Sequence, residues 1–296
     1  MKSDGNLAPT LIATIEAGAR QLSQAGVTFG HGTSNAFDEA AWLVLWRLGL
    51  PLDQLDEHAN QILSPQQQAQ IDALIQERIH TRKPAAYLTH EAWLQGVAFY
   101  VNERAIVPRS FIAELLAEGG IDPWLGPYTH HVLDLCTGNG SLAVLAALAY
   151  PEVRVDAADI SPDALEVARI NVERHGLQQR IRLLQSDGLT RVNGPYDLIL
   201  CNPPYVNSLS MATLPPEYRA EPALALAGGS DGMDFIRVLL RQAANHMHPQ
   251  AVLVLEIGHE RPHFEAAFPR LEAVWLDTSA GSDQVLLLTR DALLAP

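Results

Sequence analysis

Through residues 1–95 the apolar positions recur every three or four residues: Leu11, Ile12, Ile15 and Leu22, then Ala40, Leu43, Val44 and Leu48, then Ile71, Leu74, Ile75 and Ile79. That period lays the apolar side chains along one face of a helix. Punctuating residues agree with it. Thr33 and Ser34 can cap the second helix, Gly49 and Pro51 end it, and Ser64-Pro65 opens the third. A small all-helical domain over residues 1–86 is predicted. Between Tyr87 and Pro108 the period falls to two, in Val97-Ala-Phe99-Tyr-Val101 and Ala105-Ile106-Val107 with Asn102-Glu103-Arg104 as the turn, which predicts a β-hairpin linker over 87–108.

Over residues 109–296 strand-like and helix-like stretches alternate. Phe111 to Ala117 reads as a helix, His131 to Leu135 as a strand, Ser141 to Ala149 as a helix and Val153 to Ala158 as a strand. Ser161-Pro162 then caps a helix closing near His175-Gly176. Further strands are expected at Ile181–Gln185, Tyr196–Cys201, Ala251–Ile257, Ala273–Asp277 and Gln284–Thr289, with Asp231 to Met247 as the longest helix among them. This order predicts an α/β fold with a doubly wound sheet, closed at one edge by a hairpin of the last two strands. Its ligands should lie at the carboxyl ends of the strands.

Composition narrows the class. With 48% hydrophobic and 18% charged residues in a chain of 296, at least one full core can be buried. No apolar run reaches the roughly 18 to 20 residues needed to span a bilayer, and Met-Lys-Ser-Asp-Gly-Asn lacks the order of a signal peptide, so a cytoplasmic protein is expected, without a membrane partner. Cys136 and Cys201 each follow or end a strand and read as buried packing residues in a reducing compartment. The net charge of −14 divides into −4 over residues 1–95 (6 basic, 10 acidic) and −10 over 96–296 (14 basic, 24 acidic). Neither part is a basic module. Direct reading of nucleic acid is therefore not expected, whereas a basic protein partner suits the surface.

The candidate chemistry lies where the predicted strands end. The first sheet strand runs into Asp134-Leu-Cys136-Thr137-Gly138-Asn139-Gly140 and then directly into a helix, so the backbone can turn tightly and approach a ligand. Asp159, followed by Ile160, ends the second strand 25 residues after Asp134, where nucleotide folds put an acid on the ribose hydroxyls. Asp187 and Gly188 follow the third strand and can address an adenine edge. Asn202-Pro203-Pro204-Tyr205 follows the fourth, Tyr196-Asp-Leu-Ile-Leu-Cys201. Position 143 is alanine where a dinucleotide motif needs its third glycine, and no Lys-Ser/Thr pair offers a phosphate site. A nucleoside without a phosphate tail remains, and S-adenosylmethionine, leaving as S-adenosylhomocysteine, fits. The Asn202 amide oxygen and the Pro203 carbonyl form a pair of acceptors that can hold both hydrogens of an NH2 group, with Tyr205 packing on its plane and Pro204 stiffening the loop. Methyl transfer to a planar nitrogen is the chemistry expected of these residues.

Together, Asp134-x-x-x-Gly138-x-Gly140, Asp159 and Asn202-Pro-Pro-Tyr205 resemble the class I S-adenosylmethionine-dependent methyltransferases, and nearly the whole chain is similar to the HemK-type protein glutamine methyltransferases. The similarity includes the helical N-terminal part, Pro84-Ala-Ala-Tyr-Leu88, the hairpin around Phe99, and Val107-Pro108-Arg109. It implies methylation of a glutamine side-chain amide, either in peptide chain release factors or in a large-subunit ribosomal protein. The release-factor branch continues Pro-Arg with Pro-x-Thr-Glu, whereas this chain reads Pro108-Arg109-Ser110-Phe-Ile-Ala-Glu114. Leu214-Pro-Pro-Glu-Tyr-Arg219, Glu221-Pro222-Ala-Leu-Ala-Leu226 and Asp231-Gly232 are similar to the ribosomal-protein branch. The resemblance thus implies a basic ribosomal protein as the substrate, with release factors as the alternative; a monomeric enzyme is expected.

Other readings stay open on the residues alone. An adenine amine is as planar as a carboxamide, so a nucleic-acid adenine methyltransferase competes, opposed by the charge and by the lack of a basic tract beyond Arg82-Lys83. A noncatalytic ribosome-assembly binder would not need Gly138, Gly140, Asp159 and Asn202 together. No metal is expected, because His130-His131, His246 and His248 lack ligand spacing. Glu256 reads as a structural acid beside a turn. Arg109 could anchor a substrate backbone or pin the linker.

Overall fold

The computed structural model describes residues 8–295. The chain divides into two units, Met1–Glu91 with Pro215–Ala220, and Ala92–Leu214 with Glu221–Pro296.

The first unit is helical: α1 (Leu11–Gln24), α2 (Ala36–Leu48), α3 (Leu55–His58), α4 (Pro65–Thr81) and α5 (Ala85–Thr89). Its apolar periodicity becomes a core of Leu11, Ile15, Leu22, Leu43, Val44, Ile71 and Ile75, all buried. Ser64 and Gln67 form a reciprocal capping box ahead of Pro65 at the first turn of α4. At α2 the cap is Asn35, whose side chain accepts from the Asp38 amide (3.0 Å), and not Thr33 or Ser34. The Thr33 hydroxyl instead donates to Glu39 (3.0 Å) because Glu39 is buried and needs donors.

Glu39 belongs to a buried ionic network that apolar periodicity could not disclose. Arg78 donates from Nε to Glu39 (2.7 Å) and from a terminal nitrogen to the Thr28 carbonyl (3.1 Å), and its other terminal nitrogen lies 3.6 Å from Glu217. Glu217, in the 215–220 segment, also accepts from the Thr28 amide (3.2 Å) and from Arg82 (3.1 Å). The side chains of Arg78 and Glu217 are both 0% exposed. Tyr218 of the same segment stacks at 4.3 Å on His31.

The second unit opens with an antiparallel hairpin, β1 (Ala92–Leu94) with β2 (Val97–Phe99). This hairpin lies earlier than the alternation suggested, because Gln95 and Gly96 both take positive φ (50° and 73°), the two-residue turn that matches strand twist. Asn102 to Ala105 does turn, with the Ala105 amide on the Asn102 carbonyl (3.1 Å), but residues 105–107 form no strand. After α6 (Ile112–Glu118) come β3 (His131–Leu135), α7 (Ser141–Ala149), β4 (Arg154–Asp159), α8 (Pro162–Arg174), β5 (Ile181–Gln185) and β6 (Tyr196–Cys201). The chain continues through α9 (Ser208–Thr213), α10 (Asp234–Gln242), β7 (Met247–Glu256), α11 (Arg261–Ala267), β8 (Val274–Thr278), β9 (Gly281–Thr289) and α12 (Arg290–Leu294).

The expected helix from Asp231 to Met247 is shortened at both ends. Asp231 accepts from the Met233 amide (3.1 Å) ahead of α10, and Met247 already belongs to β7. The strands form one sheet in the order β5-β4-β3-β6-β7-β9-β8, parallel from β5 to β7, with β8 and β9 as the antiparallel edge hairpin. Every residue of β6 is buried, as expected of a central strand covered on both faces. One face packs Val132, Leu198, Leu200 and Val254 against α6 and α7; the other packs Leu133, Ile199, Cys201 and Leu253 against α10 and Phe264 of α11. The strand order reverses between β3 and β6, so a crevice is expected beyond their carboxyl ends.

Candidate active site

Asp187, Asp159, Asp134 and Asn202 stand in that order at or just beyond the carboxyl ends of the adjacent parallel strands β5, β4, β3 and β6. Asp134 is the penultimate residue of β3, and its side chain reaches into the turn that follows. One of its oxygens accepts from the Thr137 hydroxyl (2.5 Å) and the Ala143 amide (2.9 Å), which ties the turn to the start of α7. Its other oxygen is buried and without a hydrogen-bond partner among the described residues, as is the Asn139 side-chain nitrogen. Burial pushes the Asp134 carboxyl up to about 7. An unpartnered buried carboxylate oxygen beside a glycine turn is suited to a cationic ligand group.

Asp159 also has a structural part in the glycine turn. Its two oxygens accept from the Gly138 amide and the Ser161 amide, each at 2.9 Å, so it holds the glycine turn against the start of α8. Each oxygen keeps a further lone pair for an incoming hydroxyl. Gly140 serves the packing of helices: a Cβ there would lie 3.1 Å from Ala168 on α8, at a φ of +81°. Asn171 of α8, which the sequence did not single out, is fully buried and donates to the Asn139 carbonyl (2.8 Å). It also brackets Tyr100, accepting from its amide (2.7 Å) and donating to its carbonyl (2.9 Å). Cys136 takes a positive φ of 62°, and the neighbouring Cys201 thiol together with burial raises its pKa. Ile160, Asp187 and the adjoining Gly188 lie at the open side, Ile160 and Asp187 exposed and Gly188 half-buried.

Asn202 follows β6 half-buried, and its carboxamide has no hydrogen-bond partner among the described residues. Pro203 is buried, Pro204 and Tyr205 half-buried. Tyr205 is enclosed by glycines that the strand-end reading missed. A Cβ on Gly258 would come within 2.5 Å of the Tyr205 ring, one on Gly228 within 2.7 Å of its Cα, and one on Gly232 would strike its carbonyl oxygen. Beyond Tyr205, Asn207 caps α9 through the Ser210 amide (2.9 Å) and donates to Glu260 (2.7 Å).

Arg109 is not one of the strand-end residues; its two terminal nitrogens each lie 2.7 Å from an oxygen of Glu221, a bidentate pair. Glu256 accepts from the Ser110 hydroxyl (2.5 Å) and the Phe111 amide (2.9 Å), and burial pushes it up to about 7.

Residues 121–214 match the methyltransferase small domain, and residues 14–89 the PrmC N-terminal domain. A ribosomal protein uL3 glutamine methyltransferase of Bordetella pertussis is 54% identical over 287 residues, covering 96% of each chain. The chain belongs to the ribosomal protein uL3 glutamine methyltransferase family. A second relative of that description, from Neisseria meningitidis serogroup B, is 50% identical over 276 residues, 93% of this chain and 91% of its own. Among solved structures, the hMettl16 catalytic domain in complex with an RNA hairpin covers 76% of this chain and 81% of its own at 11% identity, with a TM-score of 0.52. At that identity the likeness shows the class I methyltransferase fold alone. Among the described residues no helix is long and apolar enough to cross a membrane.

Proposed function

We propose that this enzyme transfers a methyl group from S-adenosylmethionine to the side-chain amide nitrogen of a glutamine in ribosomal protein uL3, acting as a cytoplasmic monomer. The observation that carries the reading is the Asn202 carboxamide, without a hydrogen-bond partner among the described residues, beside the end of β3 that carries Asp134, in a chain 54% identical to a protein of that activity. S-adenosylmethionine, when bound, supplies an electrophilic methyl on a sulfonium centre. The open oxygen of Asp134 and the Asn139 side-chain nitrogen suit its charged amino-acid part, Asp159 its ribose, and Asp187 with Gly188 its adenine edge.

The substrate amide is a poor nucleophile because its lone pair is delocalised into the carbonyl. Asn202 Oδ1 and the Pro203 carbonyl accept its two N–H groups and fix its plane, and they hold the nitrogen more strongly as it becomes positive on attack. Tyr205 packs on the amide plane. The acidified N–H then passes its proton to water, so no dedicated base is needed. Residues 1–86 choose the partner, 87–108 link, and 109–296 carry the chemistry. The charge of −14 favours encounter with a basic ribosomal protein over nucleic acid.

The test is incubation of the pure enzyme with methyl-labelled S-adenosylmethionine and, separately, unmethylated uL3, release factors and ribosomal RNA. Label on one glutamine of uL3 is expected. Label on release factors would move the substrate to the sister branch, and label on RNA alone would overturn the reading.

A further inference from the structure

We propose that Glu221 is a positioning residue of the methyl-transfer site, clasping residues 107–109 and so fixing from opposite sides the glycine turn after β3 and the loop that follows Tyr205. The clasp rests on the methyl-transfer reading of the site. The Glu221 side chain is 0% exposed, and its carboxylate accepts from both terminal nitrogens of Arg109 at 2.7 Å and from the Val107 amide at 3.0 Å. A buried carboxylate with a bidentate guanidinium and a backbone amide is held in one orientation, because losing any donor leaves charge unsatisfied.

On the linker side the fixed segment bears on the cofactor turn. Ile106 lies 3.6 Å from where Gly138 would carry a Cβ. The next two residues after Arg109, which are Ser110 and Phe111, are gripped by Glu256 at the end of β7, whose neighbour Leu255 pairs with Cys201 just before Asn202. On the loop side the path from Glu221 to the catalytic motif is short. After one helical turn at Ala223–Ala225, the Leu226 carbonyl accepts from the Val206 amide (2.8 Å), and the Gly228 amide donates back to the Val206 carbonyl (2.9 Å). Val206 adjoins Tyr205. Arg109 and Glu221 are 112 residues apart in sequence, so the clasp joins two loops that nothing else in the chain order brings together. Arg109 therefore acts through Glu221: its fork faces a protein carboxylate, so its effect should fall on turnover and not on substrate affinity.

The experiment compares E221Q, E221A, R109A and R109A/E221A with the full-length wild-type chain, reading kcat and KM for uL3 and amide hydrogen exchange across 205–228. E221Q keeps an acceptor for Val107 while losing the charge, and so carries the test if E221A fails to fold. Lost positioning should lower kcat roughly tenfold or more with KM changed less than about threefold. The double variant should be little worse than the poorer single one, and exchange at Val206 and Gly228 should quicken in E221Q. A tenfold or larger rise in KM on R109A, multiplying with the loss from Glu221, would make Arg109 a substrate contact. Unchanged kcat and exchange in E221Q would overturn the clasp. If the wild type leaves uL3 unmethylated, the substrate reading fails while hydrogen exchange still decides the clasp.

Discussion

At the end of β6, Asn202 keeps its carboxamide free of partners among the described residues, while Asp134 on β3 and Asp159 on β4 are drawn into backbone hydrogen bonds. The difference separates their roles. Asn202→Ala should lower single-turnover methyl transfer by about 10² or more with little change in S-adenosylhomocysteine affinity, measured by calorimetry; retained turnover would remove Asn202 from the mechanism. Asp134 predicts a pH effect. Burial holds its carboxyl up to about 7, and a cation set against its open oxygen favours the charged form, so binding must release a proton below that pH. Affinity for S-adenosylmethionine should therefore rise from about pH 6 to about pH 8 and level off above. Asp134→Asn should flatten the profile.

Among the elements, the helices and strands with strong periodicity lie where the apolar pattern places them, and the departures come where a side chain from elsewhere intervenes. α2 is capped by Asn35 because Thr33 is engaged by the buried Glu39, and residues 105–107 are kept from pairing as a strand where the Val107 amide is given to Glu221. The Tyr205 enclosure is likewise nonlocal, assembled from glycines at 228, 232 and 258. Gly258 offers the sharpest test, since a Cβ would meet the ring at 2.5 Å and its φ of +53° is strained for any other residue. Gly258→Ala should cost about 1–3 kcal/mol of stability and lower kcat about tenfold by displacing Tyr205. Thermal melting and turnover measured on the same preparation check it, and an unchanged kcat would show that the ring's placement is immaterial.

At the scale of the whole molecule, the buried charges set the response to mutation and pH. Glu217 shares the interior of the helical unit with Arg78 and Arg82, and Glu217→Ala would leave Arg78 buried without that counter-charge. A loss of about 3–5 kcal/mol in urea unfolding is expected; a loss below about 1 kcal/mol would show the pair to be dispensable. In the catalytic unit, burial raises Asp134 and Glu256 to about 7. In the folded protein both keep protons that the unfolded chain has lost above about pH 4. Their contribution to stability is therefore complete below about pH 4 and is lost as pH rises through about 7. The melting temperature should fall across that window, and Glu256→Gln should remove part of the slope; an unaltered slope would mean that Glu256 does not titrate there.

The sequence by itself determined the helical first part, the doubly wound sheet and the row of polar residues at four strand ends, because periodicity, caps and glycine turns act within a few residues of where they are written. Tertiary structure alone decided which of those polar groups remain open and which are held. It spent Arg109 on Glu221, gave Asp159 to two backbone amides, buried Glu217 against Arg78, and closed three glycines from two separate segments around Tyr205. The physical reason is that a buried charge or a close backbone approach is satisfied by partners tens or hundreds of residues away, and local pattern carries no record of those distances.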